Sequence, residues 1–343
     1  MKTLTRHVPR PSRLVAAAAL TSAAVLAIAG CSSSAGGAGD SNTVNIVGFS
    51  TPKPAYDALA AAFNKTSAGK GVQFSASYGP SGSQAKAVAA GQKADYVALS
   101  VGSDMESLAP QFVDSSWDSN SSKGIGADSV VVICVRPGNP KHITGWDDLI
   151  KPGIGIVTAD PASSGSAKWN ILAAYEHVIS EGGTQAQAEA YLGKFFKNTV
   201  AKADSGSDAA KTFLSGTGDA LISYESEAIT ARQAGEKLDY IVPQQSFLIE
   251  TPVAVTKTAS PAAKDFLSYV ESDAGQKIFA SKGWRPVKAG VNPGTVQGAN
   301  DPSNPYPKVQ ELTTIADLGG WDKVNTEFFD STNGIVTKIE GGS

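Results

Sequence analysis

Two kinds of hydrophobic pattern alternate along the chain. Short continuous or period-two apolar runs, the signature of strands, are followed by stretches in which apolar positions return every three to four residues, as on one face of a helix. VNIVGF (44–49) precedes AYDALAAAF (55–63), VQFSASY (72–78) precedes SQAKAVAAG (83–91), and ADYVALSV (94–101) precedes a helical turn or two. A second set begins with DSVVVICVR (128–136), continues through WDDLI and GIGIVTAD (153–160), and then enters a long helix after Ser166. DALISY (219–224) and LDYIVPQ (238–244) read as strands, and FLIETPVAV leads into two closing helices. The first of these is capped by Ser260 before Pro261 and the second by Asp273 before Ala274. This order predicts an α/β fold with a parallel sheet component, and 343 residues suggest two domains. No repeat of solenoid length is present.

The first thirty residues stand apart. Lys2, Arg6, Arg10 and Arg13 precede an apolar run from Leu14 to Ile28, and Ala29, Gly30 and Cys31 follow. That is the layout of a secretory signal, too short in its apolar part for a comfortable membrane span. Ile28-Ala29-Gly30-Cys31 resembles the bacterial lipobox, which implies an acylated Cys31 as the mature N-terminus. SSSAGGAGDSN (32–42) has no pattern that could pack and reads as a flexible tether, so residues 31–42 link a lipid to a soluble body.

Composition narrows the classes. Hydrophobic residues at 41% with 18% charged describe a soluble globular protein. Without the four basic signal residues, 25 Lys and Arg face 32 Asp and Glu, a net charge of −7, which argues against nucleic acid as a partner. Cys134, the one cysteine besides Cys31, lies in the apolar run VVVICVR and reads as a core residue. An anion, if bound, has to be held by local dipoles and not by the field of the whole molecule.

Candidate chemistry centres on Ser-Gly-Ser, which occurs at 81–83, 164–166 and 205–207, each time before a helical pattern. A helix N-terminus leaves its first N–H groups unpaired and carries a partial positive charge, so anions settle there. Glycine lets a ligand approach the backbone, and a serine hydroxyl adds a rotatable donor. Three such tips converging on one point would form a pocket of donors without a formal positive charge.

Longer segments carry a more specific likeness. GPSGSQAKAV with ADYVALS, VRPGNPKHITGWDDLIKPGIGIVTADPASSGSAKWN, and DSGSDAAKTFLSGTGDALISYESEA resemble, in order and spacing, the sulfate-binding proteins of ABC importers. The likeness extends through Trp284-Arg285-Pro286 and Gly319-Gly320-Trp321. It implies the two-lobed periplasmic-binding-protein type II fold, with a hinge and a ligand cleft between lobes. Lobe 1 would comprise residues 43–126 and 247–343, and lobe 2 residues 127–246. The resemblance also implies that Ser81 and Ser164 offer hydroxyls to the anion, and that Gly165, Ser166 and Ser207 offer amides. Two positions depart from the family pattern. Ser50 stands where an aspartate donates its main-chain N–H, a contact its own amide can still make, and Tyr224 stands where an indole reaches the ligand, its phenol being expected to donate to the anion from a different height. Implied partners are the permease subunits and a separate ATPase, since no GxxxxGK[ST] phosphate loop is present. A monomer without cofactor or metal is expected.

Burying a dianion is costly, and only a nearly complete donor shell offsets the lost hydration. At roughly 1.5–3 kcal/mol per charged-group hydrogen bond, five to seven donors less the cost of closure leave about −8 kcal/mol or better, a micromolar or tighter complex. Sulfate carries no proton at neutral pH, whereas phosphate keeps one that needs an acceptor; a pocket of donors therefore favours sulfate, with an affinity that varies little between pH 5 and 8. Thiosulfate is not separated from sulfate by this argument, and molybdate, phosphate or an organic sulfonate are the alternatives within the binding class.

Other readings are weaker. Ser83-Gln84-Ala85-Lys86 spells the S-x-x-K of penicillin-recognising serine hydrolases, but the companion S-D-N and K-T-G elements are replaced by Ser103-Asp104-Met105 and Lys257-Thr258-Ala259. His142 and His177 have no cysteine partner or ligand spacing and read as surface or packing residues. Asp147-Asp148 looks like a helix start, Glu225 with Glu227 brackets a strand end, and Trp169 is placed to pack between helix and sheet.

Overall fold

A computed structural model describes residues 42–341; the signal, lipid-anchor and tether readings for residues up to 41 lie outside the described residues. The first half opens with β1 (Thr43–Phe49), α1 (Lys53–Phe63), β2 (Gln73–Gly79), α2 (Ser81–Ala89), β3 (Tyr96–Ala98) and α3 (Gly102–Glu106). β1 lies between β2 and β3 and is parallel to both. Helix α1 covers this sheet because Ala55, Tyr56, Leu59 and Phe63 fall on its buried face. The rings of Phe63, Phe74 and Phe266 then stack edge-on into a common core.

Two long strands connect the halves. β4 (Ile125–Val135) leads into α4 (Trp146–Leu149), β5 (Ile156–Ala159), α5 (Gly165–Ser180), α6 (Gln185–Asn198), β6 (Thr199–Ala203), α7 (Gly206–Leu214), β7 (Ala220–Tyr224), α8 (Glu225–Gln233) and β8 (Asp239–Ile241). β9 (Gln245–Val255) returns antiparallel to β4 and continues along β3. The sheet order β2-β1-β3-β9-β4-β7-β5-β6 places the β1 group on one side of the β4/β9 pair and the β5 group on the other. β5 is parallel to β6 and β7, so each side has its own parallel core. α9 (Pro261–Glu271), α10 (Asp273–Ser281), β10 (Glu311–Thr313), α11 (Trp321–Phe328) and α12 (Ile335–Gly341) complete the described chain.

The alternation expected from the sequence is thus observed, with local differences. The cap of α10 is Ser272, whose hydroxyl accepts from the Gly275 N–H, and Asp273 is the first helical residue. Ser260 caps α9 as expected by accepting from Ala263. Glu225 and Glu227 lie in the first turn of α8, immediately after β7 ends. Cys134 is buried within β4. Among the described residues no helix is long and apolar enough to cross a membrane.

α5 is the most deeply set helix. Trp169, fully buried, packs its ring on Phe247 of β9 at 5.7 Å and on Trp321 at 4.9 Å between centroids. Its indole N–H donates to the Ser100 carbonyl at 2.9 Å, which fixes the start of α5 against the end of β3.

Candidate functional site

In both halves the parallel strands end on the same side, at the line where the two meet. Open α/β sheets bind ligands there, outside the carboxyl ends of their strands. β1 delivers Phe49 and Ser50, β2 delivers Gly79, Pro80 and Ser81, and Ser100 follows β3; from the other half come Ser164, Ser166, Ser205 and Gly206. Together these residues line a small pocket whose walls are drawn so close that no water-sized sphere fits between them.

The wall contains five serine hydroxyls and no lysine, arginine or histidine, besides Ser50. All three Ser-Gly-Ser triplets open helices of nine residues or more: α2 begins at Ser81, Ser164 is the N-cap of α5, and Ser205 is the N-cap of α7. The roles of the caps differ. Ser205 accepts from the Asp208 N–H and donates to its carboxylate, so its hydroxyl serves the helix. Ser164 makes no such side-chain bond, although it is almost fully buried on the cavity wall. Its hydroxyl is therefore available to a guest.

Two glycines set how closely the halves approach. A Cβ on Gly165 would lie 2.8 Å from the Cβ and Oγ of Ser100, and one on Gly206 would lie 2.8 Å from Ser166 Oγ and 3.1 Å from Thr51 Oγ1. Both sites require the missing side chain. Thr51, which follows Ser50, keeps its Oγ1 buried without a hydrogen-bond partner among the described residues.

Of the residues singled out in the sequence, Ser50, Ser81, Ser164 and Ser166 meet at this cavity, and Gly165 abuts it through Ser100. Ser207 instead lines the wider mouth of the cleft, with Ser50, Lys53 and Lys211, while Gly206 just before it takes the wall position. The half-buried Glu227 lines the same mouth, and desolvation raises its pKa. Tyr224 is fully buried behind the wall, between the rings of Phe49 and Trp284. Its hydroxyl lies 2.7 Å from Ser100 Oγ. Burial raises the phenol pKa, so Tyr224 stays neutral. Ser100, Thr51 and Gly206 carried no signal beyond their places at strand or helix ends.

The Ser81 hydroxyl is doubly engaged. It accepts from the Ser100 N–H at 2.9 Å and donates to Asp104 Oδ2 at 2.6 Å. Burial raises the Asp104 pKa above the usual carboxylate range, with the Ser81 bond and the charges of Lys168 and Lys86 opposing the rise. A dianion beside Ser81 would raise it further, so anion binding draws a proton onto Asp104 and releases the Ser81 proton toward the guest. The sign follows: a pKa higher in the bound state makes affinity rise as pH falls. This coupling stands against the expectation of pH-independent binding, and titration decides between the two. Anion affinity is expected to be higher at pH 5 than at pH 8, and Asp104→Asn should flatten the profile in calorimetric titrations.

Other clusters offer less. Asp147, His177 and Glu181 form a potential metal-ligand group, but Asp147 faces His177 Nε2 at 3.2 Å and Glu181 faces Nδ1 at 3.7 Å, so the acids address opposite ring nitrogens. Ser83 and Lys86 are exposed on α2, and neither lines the cavity.

Residues 44–285 match the family model described as bacterial extracellular solute-binding protein. The chain is 38% identical to the sulfate-binding protein of Synechococcus elongatus over 91% of this chain and 92% of that protein. It is 31% identical to the thiosulfate-binding protein of Pseudomonas aeruginosa over 78% of this chain and 82% of that protein. Among solved structures, the sulfate-binding protein SubI from Mycobacterium tuberculosis H37Rv superposes with a TM-score of 0.78 at 39% identity, covering 84% of this chain and 100% of that one.

Proposed function

The chain belongs to the sulfate-binding family of bacterial extracellular solute-binding proteins, and from that premise we propose that it captures sulfate, or the closely related thiosulfate, in the serine-lined cavity. It acts outside the cytoplasm as the binding subunit of an ABC importer and hands the anion to a membrane permease served by a separate ATPase. The family is one of binding proteins, and the chain is not an enzyme.

The observation that carries the reading is a cavity walled by hydroxyls and helix N-termini from both halves, with no basic side chain among its lining residues. Neutral donors and amide dipoles can replace the water around a fully deprotonated oxyanion. The proposed donors are Ser50, Ser81, Ser164, Gly165, Ser166 and the α7 N-terminus at Gly206 and Ser207. Lobe 1 would be residues 43–126 with 247–343 and lobe 2 residues 127–246, closing on each other about β4 and β9. This division is supported by the sheet order, in which those two strands alone separate the parallel groups.

Titration calorimetry with sulfate, thiosulfate, phosphate and molybdate tests the reading. Sulfate or thiosulfate should bind at micromolar concentration or below and phosphate far more weakly; a clear preference for phosphate would overturn the assignment. Replacing Ser164 by alanine should weaken sulfate binding about tenfold or somewhat more, the worth of one charged-group hydrogen bond, with the ligand-free melting temperature unchanged. The proposed lipid on Cys31 is tested by mass spectrometry of the membrane-bound form.

A further inference from the structure

Ser100 was not among the residues the triplets point to, yet every polar group it has is committed. Its N–H donates to Ser81 Oγ, its carbonyl accepts from the Trp169 indole, and its hydroxyl meets the Tyr224 hydroxyl at 2.7 Å. The side chain is buried on the cavity wall, and Gly165 packs directly against it. Ser100 comes from the β3 end of one half, while Tyr224, Trp169 and Gly165 belong to the other.

Tyr224 is in the opposite situation. Its ring packs against Phe49 and Trp284, it does not line the cavity, and its hydroxyl has the Ser100 hydroxyl as its hydrogen-bond partner. Two hydroxyls carry two protons, and the bond between them uses one. If Ser100 donated to the phenol, the phenol's own proton would be left buried without an acceptor, which is costly. With the phenol donating to Ser100, the serine proton is free, and Ser100 faces the cavity. The pair therefore presents one donor to the guest, the Ser100 hydroxyl.

We infer that Ser100 donates a hydrogen bond to the bound oxyanion across the closed cleft, and that Tyr224 is a positioning residue that orients the Ser100 hydroxyl without touching the anion itself. The inference rests on the oxyanion reading of the cavity. It adds a binding residue from the β3 end that none of the three helix tips supplies. It also gives a reason for a phenol at the end of β7: at that depth its hydroxyl meets Ser100 and not the guest.

The test is calorimetric titration of the full chain with sulfate for the unaltered protein, Ser100→Ala, Tyr224→Phe and the double variant, each with its ligand-free melting curve. Ser100→Ala should weaken sulfate about tenfold or more. Tyr224→Phe, which leaves the Ser100 proton free to turn away from the guest, should weaken sulfate severalfold, less than Ser100→Ala does. The double variant should match Ser100→Ala, because the phenol acts through the serine. Should Ser100→Ala fail to fold, Ser100→Cys, whose thiol is a weak donor in a similar volume, takes its place with the same expected loss. The inference is overturned if the Ser100 variant binds as tightly as the unaltered protein, or if the losses of the two single variants multiply in the double variant, which would make the phenol an independent donor. Absence of sulfate binding by the unaltered protein would instead remove the functional reading on which the inference stands.

Discussion

Gly165→Ala should lower sulfate affinity roughly 10- to 100-fold while the ligand-free protein remains folded. The added methyl would stand 2.8 Å from Ser100 Cβ and Oγ and 3.1 Å from a methyl of Val101, all on the opposite side of the cleft. Overpacking of this kind costs about 1–3 kcal/mol, which corresponds to the stated loss when it falls on the closed, ligand-bound state alone. If the proposed hinge opens in the absence of ligand, these atoms separate, and melting of the ligand-free protein should change little. Calorimetry and thermal melts with and without sulfate separate the two effects: the ligand-induced rise in melting temperature should shrink, while the baseline holds. An unchanged affinity would mean that the halves do not need this close approach when the anion is bound.

Arg285→Ala should destabilise the fold by about 3–5 kcal/mol in urea denaturation, the usual result of leaving one partner of a buried ion pair alone. Arg285 holds Glu225 through two contacts, Nε to Oε2 at 2.7 Å and a second guanidinium nitrogen to Oε1 at 3.1 Å. Glu225 has no solvent-exposed side-chain surface, so its carboxylate has nowhere else to turn. Burial pushes the Glu225 pKa up and the guanidinium opposes the rise. The residue opens α8 immediately after Tyr224, and the Arg285 backbone exchanges both hydrogen bonds with Asp128 of β4. One residue thus joins a long connecting strand through its backbone and the start of α8 through its side chain. Pairing Arg285→Met with Glu225→Leu should recover part of the loss, because two apolar groups leave no charge unpaired.

Much of the frame is legible in local pattern. Period-two apolar runs and helical faces gave the strand and helix order, and the three Ser-Gly-Ser triplets marked helix N-termini, as α2, α5 and α7 bear out. Ser260 was readable as a cap because Pro261 follows it, whereas Ser272 was hidden by Asp273, an equally good capping type one residue later. What local pattern does not encode is distance across the cleft. Ser100 looks like an ordinary residue at the end of an apolar strand, and nothing nearby in sequence says that Tyr224, 124 positions later, will meet its hydroxyl. Asp104 reads only as a helix-start acid until the fold places it behind Ser81. Ser207 and Gly206 differ by one position, and which of them faces the cavity depends on the pitch of α7's first turn. Site residues joined by long-range register were therefore the ones missed or shifted.

The central claim is that a doubly negative oxyanion sits among uncharged donors contributed by both halves. A crystal structure with sulfate bound tests it most directly. The expected map shows one tetrahedral anion between Ser50, Ser81, Ser100, Ser164 and Ser166, with amides from the starts of α5 and α7 pointing at it and no lysine or arginine nitrogen within hydrogen-bond reach. An anion held instead by Lys53 or Lys211 at the cleft mouth, or found in any other part of the molecule with this cavity empty, would contradict it.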